Sequence, residues 1–135
     1  GQGAMELEAL SATSADTETY PFDFSEDEVD FRQTIRAILS DAAKPALAGR
    51  RFHNTIAATL TETCRRISQE TKLQRVCLSG GSFQNMLLLG QTVNQLRAAG
   101  FEVYVHTQVP PNDGGLCLGQ AAVANQILRN RKRPS

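Results

Sequence analysis

The chain has 135 residues, enough for one domain or part of one, and its hydrophobic content of 41% is sufficient for a core. It carries 14 basic and 14 acidic side chains, and only 6% of its residues are aromatic. A nucleic-acid partner is therefore not expected, because such partners call for an excess of basic residues with interleaved aromatics. No apolar run approaches the roughly 20 residues of a membrane-spanning helix, and no stretch resembles a signal peptide. We expect a cytoplasmic protein with no membrane partner.

The charges are distributed unevenly along the chain. Residues 1–41 hold 10 acidic and 2 basic side chains, whereas residues 42–135 hold 4 acidic and 12 basic ones. The two segments either attract each other within the fold or face different neighbours.

The three cysteines are Cys64, Cys77 and Cys117. They form no Cys-x-x-Cys pair, their number is odd, and Cys77 lies inside a predicted strand, so disulfides are not indicated. We expect reduced, buried thiols.

Residues 1–70 are predicted to be mostly helical. Ser25, with Glu28 three residues later, has the spacing of a capping box and predicts a helix that begins there. Pro45 predicts the start of the longest helix, because its missing N–H costs nothing in a first turn. His53 on that helix has no second His four residues later, so it is interpreted as a structural or hydrogen-bonding residue.

Residues 71–135 are predicted to form a strand-helix-strand-helix unit. The strands Arg75–Ser79 and Glu102–His106 are expected to be parallel and adjacent, because an amphipathic helix of crossover length joins them. Each strand leads into a glycine pair, Gly80-Gly81 or Gly114-Gly115, and then into a helix. A helix that opens there aims backbone N–H groups over the glycines, where anions usually bind.

Both glycine turns are expected at the carboxyl ends of the strands, where ligands bind in open α/β sheets. Asp113 then contributes a carboxylate to one wall of the cleft. The alternative interpretation is that Asp113 caps the final helix beside Gly114. His106 ends the second strand and lies near the mouth of the cleft.

The sequence predicts only two strands, and a two-stranded sheet with five helices is a poor independent core. The opening Gly1-Gln2-Gly3 has no preceding Met. These features predict the last part of a larger domain. We expect the isolated chain to expose apolar surface and either to self-associate or to be marginally stable.

Several motifs resemble those of a known family. They are Leu78-Ser79-Gly80-Gly81-Ser82-Phe83-Gln84-Asn85, the run from Val109 to Ala121, Arg51-Phe52-His53-Asn54, and the opening Gly1 to Glu8. They look like the C-terminal end of HypF, the carbamoyltransferase of nickel-iron hydrogenase maturation. The resemblance implies that residues 1–135 are a fragment of a Kae-like carbamoyltransferase domain. The implied fold is α/β and actin-like (ASKHA, ribonuclease H-like), helix-rich with a small parallel sheet.

The resemblance also implies a reaction. A carbamoyl group passes from carbamoyl-adenylate, made from ATP in a separate domain, to the C-terminal cysteine of HypE. The implied partners are HypE and the rest of the HypF chain, with a homodimer as a further possibility. We expect the fragment alone to be inactive.

Site residues are carried over by motif, and none of them is assigned a catalytic role. The implied nucleotide-binding residues are Gly80, Gly81, Asn85, Gly114 and Glu8. Glu8 is placed at the ribose hydroxyls, although Glu6 fits almost as well. Asp113 is the implied ligand of a divalent metal, which is iron, zinc or magnesium, with the remaining ligands outside this chain.

Two other functions stay open. One is an ASKHA-type module that binds a nucleotide or docks a partner without chemistry of its own. The other is a related O-carbamoyl or threonylcarbamoyl transferase, since those enzymes share the glycine pair and the aspartate. A His-x-x-x-His helix upstream of this sequence would favour an enzyme over a binding module.

Overall fold

The computed structural model describes residues 1–25 and 28–131. Its elements, in chain order, are α1 (Gln2–Ser11), β1 (Asp23–Ser25), β2 (Glu28–Asp30), α2 (Arg32–Ser40), α3 (Pro45–Thr71), β3 (Arg75–Leu78), α4 (Met86–Ala98), β4 (Glu102–Val105) and α5 (Leu116–Arg131). Short 3₁₀ turns, Gly81–Gln84 and Asp113–Gly115, precede α4 and α5. None of the helices within the described ranges has both the length and the apolar content to cross a membrane.

The longest helix, α3, packs against both α1 and α4. It begins with Pro45 in its first turn, as predicted, and ends at Thr71, followed by Lys72 in a left-handed conformation with a φ of 61°. Its buried face is rich in threonine. Thr55, Thr59 and Thr61 each donate a hydroxyl hydrogen bond to the carbonyl four residues earlier. Hydroxyls that are satisfied within their own helix can be buried without a partner on the neighbouring helix.

Helix α1 approaches α3 closely at Gly49. A Cβ atom at this position would overlap Ser11 Oγ and would lie 2.9 Å from Leu7 Cδ1. Ser11 has no room to move away, because its side chain is fully buried and its hydroxyl donates to the Leu7 carbonyl at 2.6 Å. Gly49 is therefore the contact that lets α1 lie against α3.

We expect Gly49→Ala to lower the free energy of unfolding by about 1–3 kcal/mol, as overpacked sites commonly do. Gly90→Ala in α4 is the matched control, because a Cβ there meets nothing within 4 Å. The control gains helix propensity and should raise stability by up to about 1 kcal/mol. Urea titration of both variants measures the two effects. Equal stabilisation by both substitutions would contradict the close packing of α1.

The β1–β2 pair corrects one prediction. The strands are antiparallel, with Ser25 opposite Glu28, so these residues do not form the predicted capping box. Helix α2 instead begins at Arg32, after Asp30, which accepts a hydrogen bond from the Arg32 N–H at 2.9 Å. The Arg32 guanidinium also donates to Asp30 and lowers the pKa of that carboxyl to about 2. The helix start has moved to Arg32, because strand pairing engages Ser25 and Glu28.

Arg51 on α3 joins the acidic N-terminal segment to the helix. Its guanidinium contacts Asp16 at 3.2 Å, Glu18 at 2.5 Å and Asp41 at 3.5 Å. The hydrogen bond from Arg51 is the main cause that lowers the pKa of Asp16. Tyr20 is buried in the same segment and donates to Asp41 at 2.9 Å, so that burial and this bond raise its pKa to about 12. The oppositely charged segments therefore attract each other within the fold.

Strands β3 and β4 form the predicted parallel pair. Arg75 lies opposite Glu102 and Leu78 lies opposite Val105, so each strand is one residue shorter than predicted. Helix α4 makes the crossover and ends at Ala98, two residues before Gly100, whose φ is 89°. The buried core of this part consists of Leu78, Leu96 and Phe101, with partly buried Val76, Val103, Cys64, Phe83, Leu89 and Val93 around it.

The other face of this sheet and most of α5 are uncovered among the described residues. Cys77 and Tyr104 are exposed on the sheet, and α5 exposes the apolar side chains Leu116, Leu118, Val123, Ile127 and Leu128. The three cysteines are free, as predicted, but Cys77 and Cys117 are exposed and Cys64 is only half-buried. The predicted burial is therefore wrong for Cys77 and Cys117; Cys77 is exposed because one face of its strand is uncovered here, whereas a strand inside a complete parallel sheet has both faces covered.

We expect the isolated chain to self-associate through the apolar face of α5. Light scattering over a range of concentrations should give a mass that rises with concentration. Ile127→Lys should reduce this rise, because it places a charge within the apolar face. Asn125→Lys, which changes an exposed polar position of the same helix, is the matched control and should reduce it less. A monomeric mass at every concentration would contradict the expectation.

Candidate functional site

The two glycine turns meet at the carboxyl ends of β3 and β4. The Gly80 N–H donates to the Pro111 carbonyl at 2.8 Å, so the loop before α5 is tied to the turn before α4. The structure thus brings together the two loops that the sequence placed at one edge of the sheet.

The four glycines of these two turns differ in backbone conformation and in the space that a Cβ atom would have. Gly80 has φ 103° and ψ 158°, a conformation that only glycine adopts readily. Gly81 lacks a positive φ, but a Cβ there would meet nothing within 4 Å, so its surroundings are open. A Cβ at Gly114 would lie 3.1 Å from Asn112 Oδ1, and one at Gly115 would lie 2.8 Å from the Pro110 carbonyl oxygen. The second glycine pair is therefore required by the packing of its own loop.

Two cavities lie beside the joined turns. The first, of about 660 Å³, is called here the α1 cavity, and its lining includes Met5, Glu8, Phe52, His53, Gly81 and Asn85. The second, of about 700 Å³, is called the α5 cavity, and its lining includes Ser79, Gly80, His106, Asp113, Leu116 and Ile127. The predicted residues are thus divided: Glu8, Gly81 and Asn85 line the α1 cavity, whereas Gly80 and Asp113 line the α5 cavity.

Asn85 begins helix α4 and holds its first turn. Its Oδ1 accepts a hydrogen bond from the Leu88 N–H at 2.8 Å, which is the usual action of an N-cap asparagine. Its Nδ2 lies 2.8 Å from His53 Nε2. The amide is therefore held at both ends while it lines the α1 cavity.

Glu8 lies at the same helix terminus. One carboxylate oxygen accepts hydrogen bonds from the backbone N–H groups of Met86 at 2.7 Å and Leu87 at 3.3 Å. The sequence predicted an anion at the helix that follows Gly81, and in this structure the chain's own carboxylate occupies that position. Glu6, the alternative to Glu8, hydrogen-bonds to Gln2 instead and does not line the cavity.

Asp113 is exposed, and its carboxylate makes no hydrogen bond or ion pair with the described residues. The cap at this turn is Asn112, whose Oδ1 accepts from the Gly114 N–H at 3.0 Å. The interpretation of Asp113 as a helix cap is therefore wrong. Within residues 1–25 and 28–131, no cluster of three or more His, Cys, Asp and Glu side chains could hold a metal. Asp113 alone is an incomplete donor set.

His106 and His53 each have a hydrogen-bond partner that the sequence did not identify. His106 Nε2 lies 2.9 Å from Ser79 Oγ and links the ends of the two strands at the wall of the α5 cavity. His53 is only 4% exposed and contacts Asn85, which confirms its interpretation as a hydrogen-bonding residue. Its place beside the cavity was missed, because a partner 32 residues away leaves no local pattern.

The comparisons with known proteins point to one family. Residues 1–120 match the family model HypF_C_2, described as the second subdomain of the carbamoyltransferase Kae1-like domain. Carbamoyltransferase HypF of Synechocystis is 37% identical over 125 residues, which are 89% of this chain and 16% of that protein. Carbamoyltransferase HypF of Rhizobium leguminosarum is 33% identical over 96% of this chain and 17% of its own length. The chain spans about one sixth of these curated relatives.

Solved structures agree with this similarity. A crystal structure of full-length HypF, described as phosphate- and nucleotide-bound, matches with a TM-score of 0.86 and 41% identity over 95% of this chain and 18% of that one. HypF of T. kodakarensis matches with a TM-score of 0.81 over 94% of this chain and 17% of that one, at 23% identity. The second match supports the fold alone.

Proposed function

Since the chain belongs to the family of the second subdomain of the Kae1-like carbamoyltransferase domain, we propose that it is part of a carbamoyltransferase. In this proposal the full-length protein transfers a carbamoyl group from carbamoyl-adenylate to the C-terminal cysteine of HypE, during assembly of the cyanide ligands of [NiFe]-hydrogenase. The acceptor thiolate attacks the carbonyl carbon, the bond to the phosphate oxygen breaks, and AMP leaves. The relatives' name, carbamoyltransferase HypF, supports the carbamoyl-transfer part of this proposal.

One observation carries the proposal for this chain. The Gly80 N–H donates a hydrogen bond to the Pro111 carbonyl and so joins the two glycine turns, while Gly81 lines the α1 cavity and Gly80 lines the α5 cavity. A nucleotide that lies across Gly80-Gly81 reaches both cavities. The bound nucleotide and phosphate described for a solved relative are in keeping with such a ligand.

We place the nucleoside in the α1 cavity. Met5 and Phe52 contribute apolar surface for a base, and Glu8 contributes a carboxylate that can accept hydrogen bonds from ribose hydroxyls. Gly81 leaves open space, and the Asn85 amide presents a polar group to the same cavity. Gly114 acts indirectly in this proposal, since it shapes the loop that holds Gly80.

We place the transferring end of the ligand at the α5 cavity, near Asp113. A carboxylate is a suitable ligand for a hard divalent cation when phosphate oxygens complete the coordination. The described residues do not form a metal site alone, so a metal here needs further ligands from outside this sequence. Its identity as iron, zinc or magnesium stays a proposal.

The uncovered apolar faces bear on the partners. We propose that the rest of the HypF chain covers α5 and the open face of the β3–β4 sheet, within an actin-like (ASKHA) domain of a cytoplasmic protein. The isolated fragment is then inactive, because adenylate synthesis and the remaining metal ligands lie elsewhere. A homodimer is the alternative use of the same faces.

A second candidate function is a docking or nucleotide-binding module without chemistry of its own. It is favoured by the same uncovered faces and by the absence, within the described residues, of a metal-binding cluster.

An acceptor panel tests the proposed function. The full-length protein is supplied with ATP and carbamoyl phosphate together with HypE or a small hydroxyl compound, and separately with ATP, threonine and bicarbonate together with a tRNA. We expect a carbamoyl group on the HypE cysteine and on neither other acceptor. Transfer to tRNA or to the hydroxyl would identify a related transferase, and nucleotide binding without any transfer would identify a binding module.

A further inference from the structure

The tautomer of His53 is fixed by its two hydrogen-bond partners. Nδ1 lies 2.6 Å from the Gly49 carbonyl oxygen, which can only accept, so Nδ1 carries the proton. Nε2 lies 2.8 Å from the Asn85 side-chain nitrogen. The Asn85 amide cannot be reversed without loss of the helix cap, because its oxygen accepts from the Leu88 N–H. His53 is therefore the neutral Nδ1–H tautomer, and Nε2 is an acceptor.

This contact lies where three helices converge. Gly49 and His53 belong to α3, Asn85 begins α4, and Glu8 from α1 binds the backbone of Met86 in the same turn. The imidazole is only 4% exposed, so its direction is set by packing as well as by hydrogen bonds. The turn is therefore fixed by all three helices.

We propose that His53 is a positioning residue that holds the Asn85 carboxamide for a nucleotide in the α1 cavity. The amide nitrogen has two N–H groups, and His53 Nε2 accepts one of them. The second N–H is left for a ligand acceptor, such as a ribose or base oxygen or nitrogen. Because His53 holds the first N–H of the Asn85 amide, it also fixes the direction of the second N–H. This inference rests on the proposed function, since it deepens the same nucleotide site.

The test uses the full-length protein and measures the dissociation constant of ATP at the site that Gly81→Val removes, together with the unfolding midpoint, so that ATP bound by the separate adenylate-forming domain is not counted. We expect His53→Leu to raise the Kd of ATP by roughly 10- to 100-fold, because it removes the acceptor and leaves the Asn85 amide unconstrained. Asn85→Ser, which keeps a good helix cap but has no amide, should raise it to a similar extent. The double variant should be no weaker than either single variant, because the two residues act as one unit.

Thr59→Val is the matched control for a structural effect. Thr59 is buried on the same helix, its hydroxyl donates within the helix, and it lines neither cavity. We expect Thr59→Val to lower stability without a change in Kd. His53→Gln, whose carbonyl oxygen can accept from Asn85, should recover most of the affinity.

The outcomes separate the inference from the proposed function. If the wild-type protein neither binds ATP nor transfers a carbamoyl group, the proposed function fails. If the wild type does both, and folded His53→Leu binds ATP within about twofold of it, the inference is overturned. A similar loss in Thr59→Val would also overturn it. If His53→Leu does not fold, the result for His53→Gln decides. An ATP affinity of this variant within about threefold of wild type supports the inference. A weaker affinity in folded His53→Gln overturns it.

Discussion

In the full-length protein, Asp113→Ala is expected to slow carbamoyl transfer by roughly 100- to 1,000-fold, while carbamoyl-adenylate synthesis continues at the wild-type rate. An effect of this size is typical for loss of a group that stabilises developing charge. The fold should be retained, because Asp113 is exposed and Asn112 provides the cap at this turn. The rate of adenylate synthesis is measured by pyrophosphate release, and the rate of carbamoyl transfer is measured by modification of the acceptor cysteine.

The control for Asp113→Ala is Glu70→Ala. Glu70 is also exposed, its carboxylate has no hydrogen bond or ion pair with the described residues, and it lines neither the α1 cavity nor the α5 cavity. Glu70→Ala should leave the rates of adenylate synthesis and of carbamoyl transfer unchanged. Metal content, measured by mass spectrometry of the purified variants, should fall only for Asp113→Ala. If that variant transfers at the wild-type rate with unchanged metal content, the assignment of Asp113 is wrong.

Gly81→Val is expected to abolish carbamoyl transfer for a steric reason. Within this chain a Cβ at Gly81 meets nothing, so the branched side chain has room and the fold should survive. In the proposed complex that room belongs to the nucleotide, and the added methyl groups would fill it. Binding of the adenylate, or of a stable analogue, at this site should therefore be lost, while adenylate synthesis in another domain continues.

Gly90→Val provides the comparison for Gly81→Val. Gly90 is exposed in the middle of α4, and a Cβ there is equally unhindered. The control should transfer normally, since it carries the same substitution outside both cavities. Normal transfer by Gly81→Val would mean that the nucleotide does not approach this turn.

The parallel strand pair was predictable, because alternating apolar residues on either side of a crossover helix leave few other arrangements. The same local pattern failed at Ser25 and Glu28, where the spacing of a capping box coincided with a strand pair. Local spacing cannot tell which partner the backbone groups will have. Here the competing partner was a neighbouring strand.

The walls of the candidate site were only partly predictable. Motifs indicated Glu8, Gly81 and Asn85, but not that Glu8 would bind the first turn of α4, 78 residues away. The contact between His53 and Asn85 likewise depends on how α3 and α4 pack. Side chains brought together by tertiary packing leave no periodic signal in the sequence, whereas the glycines that permit a turn do.

The role of the second glycine pair was also visible only in three dimensions. Its sequence resembles the first pair, yet a Cβ at Gly115 would clash with its own loop at the Pro110 carbonyl, while one at Gly81 would meet open space. The two glycine pairs therefore differ in role: the second pair is required by the packing of its own loop, whereas Gly81 in the first pair leaves open space.

The most direct test of the central claim is a crystal structure of the full-length protein with a stable carbamoyl-adenylate analogue. We expect nucleotide density across Gly80-Gly81, with the ribose near Glu8, the second N–H of Asn85 donating to the nucleoside, and the carbamoyl end on the side of Asp113. Density for the analogue at another site, with the α1 and α5 cavities empty, would contradict it.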